Sequence, residues 1–158
     1  MKKLDRLDRR ILEEIQTHGD ISNLELAEKI GLSPSPCSRR VRQLQQAGLI
    51  EKQVTLLNQH ALGLPLTIYI HVNLSSQLTE TLDNFEAQIS TYTEVLECAL
   101  ITGSEADYLL KVVMPDMSGY EQFLLKELNQ IAGVSSIRTS FVLRHVLKRT
   151  ALPLNHIT

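Results

Sequence analysis

The stretch Gly31–Ile50, GLSPSPCSRRVRQLQQAGLI, decides how the first third of this chain is read. Ser33 followed by Pro34 is the order of a helix cap and a first helical residue, where the N–H that proline lacks has no partner to lose. Pro36 still falls in the first turn. Cys37, Val41 and Leu44 follow at helical spacing on one side, and Gly48 closes the element. Ser35, Ser38, Arg39, Arg42 and Gln43 face elsewhere. No carboxylate occurs between Lys29 and Glu51. The spacing predicts a helix with an aliphatic inner side and an outer surface of hydroxyls, guanidinium groups and amides.

Two more helices precede it. Leu4, Leu7, Ile11, Leu12 and Ile15 form a helical stripe, with Asp5 or Asp8 to cap it and Gly19 suited to the position after its last turn. Ser22 and Glu25 have the spacing of a capping box, and Leu24, Leu26, Ala27 and Ile30 give the second helix its apolar side. Three short helices, the last two joined by a tight turn, make a helix-turn-helix arrangement. Its third helix carries chemistry suited to the DNA major groove. Arginine pairs with guanine, glutamine suits adenine, and serine and helix N-terminal N–H groups bind phosphate. Arg40 would meet phosphate or a neighbouring acid, and Lys2, Lys3 and Lys52 would add attraction to the backbone. Clustered arginines alone fit a solvated face equally well; the capped helix before them, the turn and the missing carboxylates favour a docking face. After Gly48, LIEKQVTLLN is β-prone and reads as a strand leaving this unit.

The 158 residues suffice for one ordinary domain or two small ones, and 43% hydrophobic with 22% charged residues fits a folded protein. Aromatic content is 4% with no Trp, so the core is aliphatic. The N-terminus is charged throughout and reads as no secretory signal. No apolar run exceeds four residues, which argues against a transmembrane helix. Cys37 and Cys98 fit no zinc or disulfide spacing, so a cytoplasmic protein with reduced thiols is expected. The net charge of −2 is uneven: residues 1–53 carry ten Lys/Arg against eight Asp/Glu, and residues 54–158 carry six against ten. A basic front and an acidic back suggest two units with different partners.

Asn58, Gly63 and Pro65 break regular structure. Leu66–Leu74 then alternates apolar and polar as a half-buried strand. Leu78, Leu82, Phe85 and Ile89 have helical spacing. VLECALIT and DYLLKVVM read as strands joined through Gly103. Asp116 is a candidate cap for MSGYEQFLLKELNQI, with Tyr120, Phe123, Leu124, Leu128 and Ile131 inward, and SSIRTSFVLRHVLKR is a last strand. The order β-α-β-β-α-β predicts an α+β fold, two helices on one face of a four-stranded antiparallel sheet. Val113, Val142 and Val146 fall on the other face, whose apolar character predicts sheet-to-sheet dimerisation. The expected domains are 1–53 for DNA binding, a linker strand over 54–65, and 66–158 for effector binding and oligomerisation.

The segments LDRLDRRIL, LSPSPC with its arginine helix, and ADYLLKV followed by PDM closely resemble the leucine-responsive regulatory protein/AsnC family of feast/famine regulators, and the resemblance spans nearly the whole chain. It implies a winged helix-turn-helix followed by a ferredoxin-like βαββαβ sandwich. It also implies homodimers that assemble further, to an octamer for example, and a small amino-acid effector, leucine or methionine at family level. The implied function is a DNA-binding transcriptional regulator of amino-acid metabolism genes. DNA contacts would come from Ser33, Ser35, Ser38, Arg39, Arg40, Arg42, Gln43 and Lys52. Effector contacts would come from Thr102, Gly103, Ser104, Glu105, Ala106, Asp107 and Tyr108, and from Asn129. Free N–H groups near the glycine would hold a carboxylate and Asp107 an ammonium. Three residues separate Gly103 from Asp107 where the family pattern has two, which reshapes the loop relative to that pattern; read alone, it is also an ordinary hairpin turn.

Nothing in the sequence has the order of a catalytic triad, a phosphate loop or a metal-ligand cluster. His18, His60, His71, His145 and His156 are scattered, so no metal is expected, and no cofactor beyond the effector. Cys37 and Cys98 read as small packed residues. Two alternatives stand beside the regulator. One is an enzyme like the tetrapyrrole decarboxylases that resemble this family in fold. The other is a co-regulator that senses amino acids without its own DNA site.

Overall fold

The computed structural model describes residues 4–103 and 105–157. The chain forms two compact units. One joins residues up to Leu56 with those from Leu147 onward, and the other runs Leu57–Val146.

In the first unit α1 spans Arg6–Thr17, α2 Asn23–Ile30 and α3 Pro34–Gln46. Each start has a local cause. Asp5 caps α1 and Asp8 reaches back to the Asp5 N–H, a capping box built from two aspartates. Ser22 and Glu25 form the same device on α2. Gly31 ends α2 at φ 79°, left-handed backbone that a side chain resists. Arg10 donates to the last carbonyls of α2, at Ile30 (3.0 Å) and Lys29 (2.7 Å). Asn23 Nδ2 donates to the Pro34 carbonyl at 3.0 Å, tying the start of α2 to the start of α3. Ile11, Leu26, Ala27, Ile30, Cys37 and Leu44 are the buried core.

Several expectations fail here. Ser33 sits at the cap position of α3, but its side chain makes no capping hydrogen bond. Gly19 is not left-handed. Residues 51–58 form no strand, so the linker strand over 54–65 is absent; Val54, Leu56 and Leu57 are exposed, leaving this β-prone segment nothing to pair with. The C-terminal residues group with the first unit, not with the 66–158 domain expected. Gln16 pairs both ways with Leu152, Nε2 donating to its carbonyl (2.9 Å) and Oε1 accepting its N–H (2.8 Å). Arg9 donates to the Ile157 carbonyl and to Asn155 Oδ1, both at 3.1 Å.

The second unit holds β1 (Leu66–Leu74), α4 (Thr79–Ile89), β2 (Val95–Leu100), β3 (Tyr108–Met114), α5 (Met117–Gln122) and β4 (Val134–Phe141). The antiparallel sheet has the order β2-β3-β1-β4. Ile68, Ile70 and Val72 of β1 and Tyr108, Leu110 and Val112 of β3 are buried with Phe85, Ile89, Phe123, Leu128 and Ile131, so the alternating residues of each strand close one core. The second helix runs unbroken to Gln130, close to the expected end, but changes pitch along its length. After α5 come a π turn over Phe123–Glu127 and a 3₁₀ turn over Leu128–Gln130. The five-residue step from buried Phe123 to buried Leu128 is one longer than an α-helical turn brings round, and the wider π turn accommodates it.

The opposite sheet face is more polar than expected. Val113 is buried, with 6% exposed, and only Val146, at 88%, stands fully open. Thr67, paired with Val113, is buried beneath a hydrogen bond from Gln59 Nε2 (3.0 Å). Elsewhere this face carries Tyr69, His71 and Asn73, Ser136, Arg138 and Ser140, a cross-strand pair of Lys111 with Glu97 at 2.9 Å, and the apolar pair Leu109 and Ala99. Of the three valines named for this face, Val113 is covered within the chain, Val142 follows directly on β4 and is half-buried, and Val146 lies beyond the end of that strand.

Candidate functional site

The third helix sorts its side chains by turn. Cys37, Arg40, Val41 and Leu44 share one stripe, with Cys37 and Leu44 fully buried. Ser35, Arg39, Arg42 and Gln46 share another, all four exposed, with Ser38 half-buried beside them. Gln43, Ser33 and Lys52 are exposed outside that stripe. Gln46 belongs to the exposed stripe although the sequence reading passed over it; its step of four from Arg42 was the available signal. Among the described residues Arg39 and Arg42 enter no ion pair, and Lys2 and Lys3 lie outside those residues.

Arg40 behaves differently from its neighbours. Its Nη1 lies 2.8 Å from Asp5 Oδ2 and 2.8 Å from Asp8 Oδ1. These are the two aspartates of the α1 capping box, and Asp8 is 1% exposed. The hydrogen bond from the Asp8 backbone, and then the Arg40 guanidinium, hold the Asp5 carboxyl below its usual range. Asp8 and Asp5 in turn raise Arg40. Of the two partners left open by the sequence, Arg40 takes the neighbouring acid.

The loop between β2 and β3 was expected to hold the effector. Thr102 and Gly103 are exposed, Gly103 with φ 79°. Ser104 lies outside the described residues. Glu105 pairs with Arg138 at 2.8 Å, both exposed, and Ala106 is buried. Asp107 works as a loop anchor: Oδ2 accepts from the Leu74 N–H and Oδ1 from Gln77 Nε2, both at 2.8 Å. Its backbone N–H donates to the Val72 carbonyl at 3.1 Å. Tyr108 belongs to the core. It is 1% exposed, its ring centroid 4.6 Å from Phe85, and its hydroxyl donates to Glu86 Oε1 at 2.7 Å. Burial first, then Glu86, pushes its phenol well above the ordinary range. An effector contact from the Tyr108 hydroxyl has no support in this geometry. Asn129 is exposed on the 3₁₀ turn.

A groove of about 400 Å³ runs beside the edge strand, lined by Glu86, Ile89, Leu96, Cys98, Leu100 and Tyr108. It meets the predicted effector loop only at Tyr108. Desolvation and the Glu86 carboxylate push the Cys98 thiol up to about 11, so it is a weak nucleophile although the residue is open at the groove. Burial also raises the thiol of Cys37. Among the described residues no three His, Cys, Asp or Glu side chains are gathered to hold a metal, and no helix is long and apolar enough to cross a membrane.

A compact helix-turn-helix with an acid-free exposed helix face, joined to a βαββαβ unit, defines a two-part DNA-binding regulator. Comparison with known proteins gives that class its family. The family model described as Lrp/AsnC ligand binding domain matches residues 67–152, and that described as winged helix-turn-helix DNA-binding matches residues 4–51. The leucine-responsive regulatory protein of Salmonella typhimurium is 40% identical over 151 residues, 96% of this chain and 92% of that protein. A transcriptional regulator of Neisseria meningitidis, solved as a complex with L-Met, superposes with a TM-score of 0.94 at 38% identity, covering 98% of this chain and 99% of that one. An AsnC family transcriptional regulator from Agrobacterium tumefaciens gives 0.92 at 32% identity, covering 98% and 100%. The chain belongs to the Lrp/AsnC family of transcriptional regulators. These matches favour the regulator over the enzyme and co-regulator alternatives.

Proposed function

We propose that this regulator reads DNA through Ser35, Ser38, Arg39, Arg42 and Gln46, with Ser33, Gln43 and Lys52 at the rim. It acts in the cytoplasm on amino-acid metabolism genes. The observation that carries the reading is the exposed stripe of α3, on which two guanidinium groups, without an ion pair among the described residues, alternate with neutral hydrogen-bonding groups and no carboxylate. A carboxylate there would meet phosphates at close range; amides and guanidinium groups meet base edges and phosphate alike. The test is a gel-shift titration against an operator fragment across salt. Replacing Arg39 and Arg42 with alanine removes specific binding and flattens the salt dependence by about 0.9 in log–log slope per lost phosphate contact. Full binding by the double variant at every salt concentration would overturn the assignment.

The second unit takes a small amino acid, leucine or methionine, in assemblies built from homodimers up to an octamer. The L-Met complex of the Neisseria meningitidis regulator supports this effector class. Thr102, Gly103 and Glu105 are the exposed members of the β2–β3 loop that would meet it, with Asp107 holding the loop in place. Thermal shift against the twenty amino acids, with light scattering on the same samples, tests effector and assembly together. A melting temperature and a mass unmoved by leucine and methionine would reject both choices.

A further inference from the structure

Arg40 lies between two arginines of the exposed stripe yet makes none of their contacts. It sits on the buried stripe of its helix with Cys37, Val41 and Leu44. Asp8 occupies the equivalent place on α1, in line with Leu4, Ile11 and Ile15. A charge on an apolar stripe persists only if it is paired. Here the two stripes meet, and one guanidinium nitrogen serves both aspartates of the capping box at 2.8 Å each.

The rest of α3 is weakly anchored at its start. Ser33 makes no side-chain cap, and Pro34 and Pro36 bring no N–H to the first turn. The Asn23 contact to the Pro34 carbonyl and the burial of Cys37 and Leu44 hold the helix to the unit. Apolar contacts alone tolerate a small roll, because they are not directional. The ion-paired hydrogen bonds to Asp5 and Asp8 are directional. At the roughly 5–6 Å radius of a helix with its side chains, a roll of about 20° moves a side-chain end by about 2 Å. Recognition geometry survives only about 0.5 Å or 10–20°.

We propose that Arg40 is a positioning residue for DNA recognition. Clamped by Asp5 and Asp8, it sets the roll of α3 and so the aim of Arg39, Arg42 and Gln46, without touching the nucleic acid. The inference rests on the DNA-reading role of α3 proposed above. It also accounts for Asp5 and Asp8 beside a helix that otherwise avoids acids: both accept from Arg40.

The experiment compares operator affinity and its salt slope for the full chain and its variants, at a temperature where circular dichroism shows each folded. Arg40→Met weakens binding about tenfold, the scale of one good base contact, and lowers the salt slope by clearly less than the roughly 0.9 of one whole phosphate contact, because no phosphate contact of its own is lost. Arg40→Lys, which keeps a cation for both carboxylates, restores most of the affinity. Asp8→Asn keeps the α1 cap and loses part of the clamp, so it falls between wild type and Arg40→Met; it serves in its place if Arg40→Met does not fold. Adding Asp5→Asn and Asp8→Asn to Arg40→Met leaves the loss in place.

Three outcomes overturn the proposal. A slope that drops by about 0.9 in Arg40→Met makes Arg40 a phosphate contact. Wild-type affinity in folded Arg40→Met, or in Asp8→Asn where Arg40→Met does not fold, removes any positioning role. Wild-type affinity in the neutralised triple variant reduces the clamp to charge masking. Arg39→Ala and Arg42→Ala run alongside. If neither changes affinity or slope, the reading of α3 itself has failed, which is a different result from a failure of the clamp.

Discussion

Leu44→Ala should separate the two units of this protein. Leu44 is fully buried in the first unit among Ile11, Leu26, Ala27, Ile30 and Cys37. Truncating a buried leucine costs about 2–5 kcal/mol, the transfer of its methyl groups plus the cavity left behind. The core around it is small, so there is little to collapse into the gap. At roughly 0.05–0.15 kcal/mol per residue, a unit of about seventy residues holds only about 3–10 kcal/mol of stability. A loss near 3 kcal/mol, more than a hundredfold in the folding equilibrium, therefore consumes a large share of it. Phe85, Leu110 and Ile70 belong to the separate core of the second unit, which should not register the change. Hydrogen exchange read by mass spectrometry on the full chain measures both at once. Peptides from α3 should exchange about a hundredfold faster while peptides from β1 and β3 are unmoved. Acceleration of β1 and β3 by the same factor would refute the reasoning, because the two cores would then be one cooperative body. So would an α3 change below about fivefold.

Three further outcomes follow from the contacts described. Gln16→Ala removes both hydrogen bonds to Leu152, and at about 0.5–1.5 kcal/mol each the C-terminal segment should loosen; faster amide exchange at Leu152 and faster tryptic cleavage after Lys148 and Arg149 check this. Gly133→Ala places a Cβ 2.7 Å from Thr81 Cγ2 at φ 94°, so strain and overpacking should together cost about 2–4 kcal/mol in the second unit; urea unfolding measures it, and Thr81→Ser, which removes that methyl, should recover part. The folded-state pKa of Asp5 is lowered, by the Asp8 backbone and then by Arg40. Its contribution is thus present above the unfolded carboxylate range and lost as pH falls through the folded value. Acid melting curves of wild type and Asp5→Asn should converge in strongly acidic solution and separate towards neutrality, with wild type the more stable.

Much of the local structure was legible. Leu66–Leu74 alternates so strictly that the strand takes those same bounds, and the Ser22–Glu25 capping box is spelled in the sequence and formed in the fold. Legibility ended where a segment lacked its own partner. LIEKQVTLLN has β propensity, but propensity makes a strand only beside another strand, and among the described residues none pairs with it. The helix after Asp116 reads as continuous by apolar spacing, yet the step from Phe123 to Leu128 is met by a π turn. In the effector loop, Asp107 and Tyr108 were expected as contacts from the family resemblance; within the chain one holds Leu74 and Gln77 and the other fills the core, contacts that no local spacing announces.

The sequence by itself determined the helices of the first unit, the capping box of α2, the acid-free face of α3 and the βαββαβ order. Those depend on spacing and on groups a few residues apart, which a linear reading can see. Only the tertiary structure decided that Arg40 leaves the basic cluster for Asp5 and Asp8, that the C-terminal segment returns to α1, and that Val113 is covered while Lys111 pairs with Glu97 across the far sheet face. Each is a contact between residues distant in the chain. Such a contact is chosen by which stripes meet when the helices and strands pack, and by the need to pair every charge that packing buries.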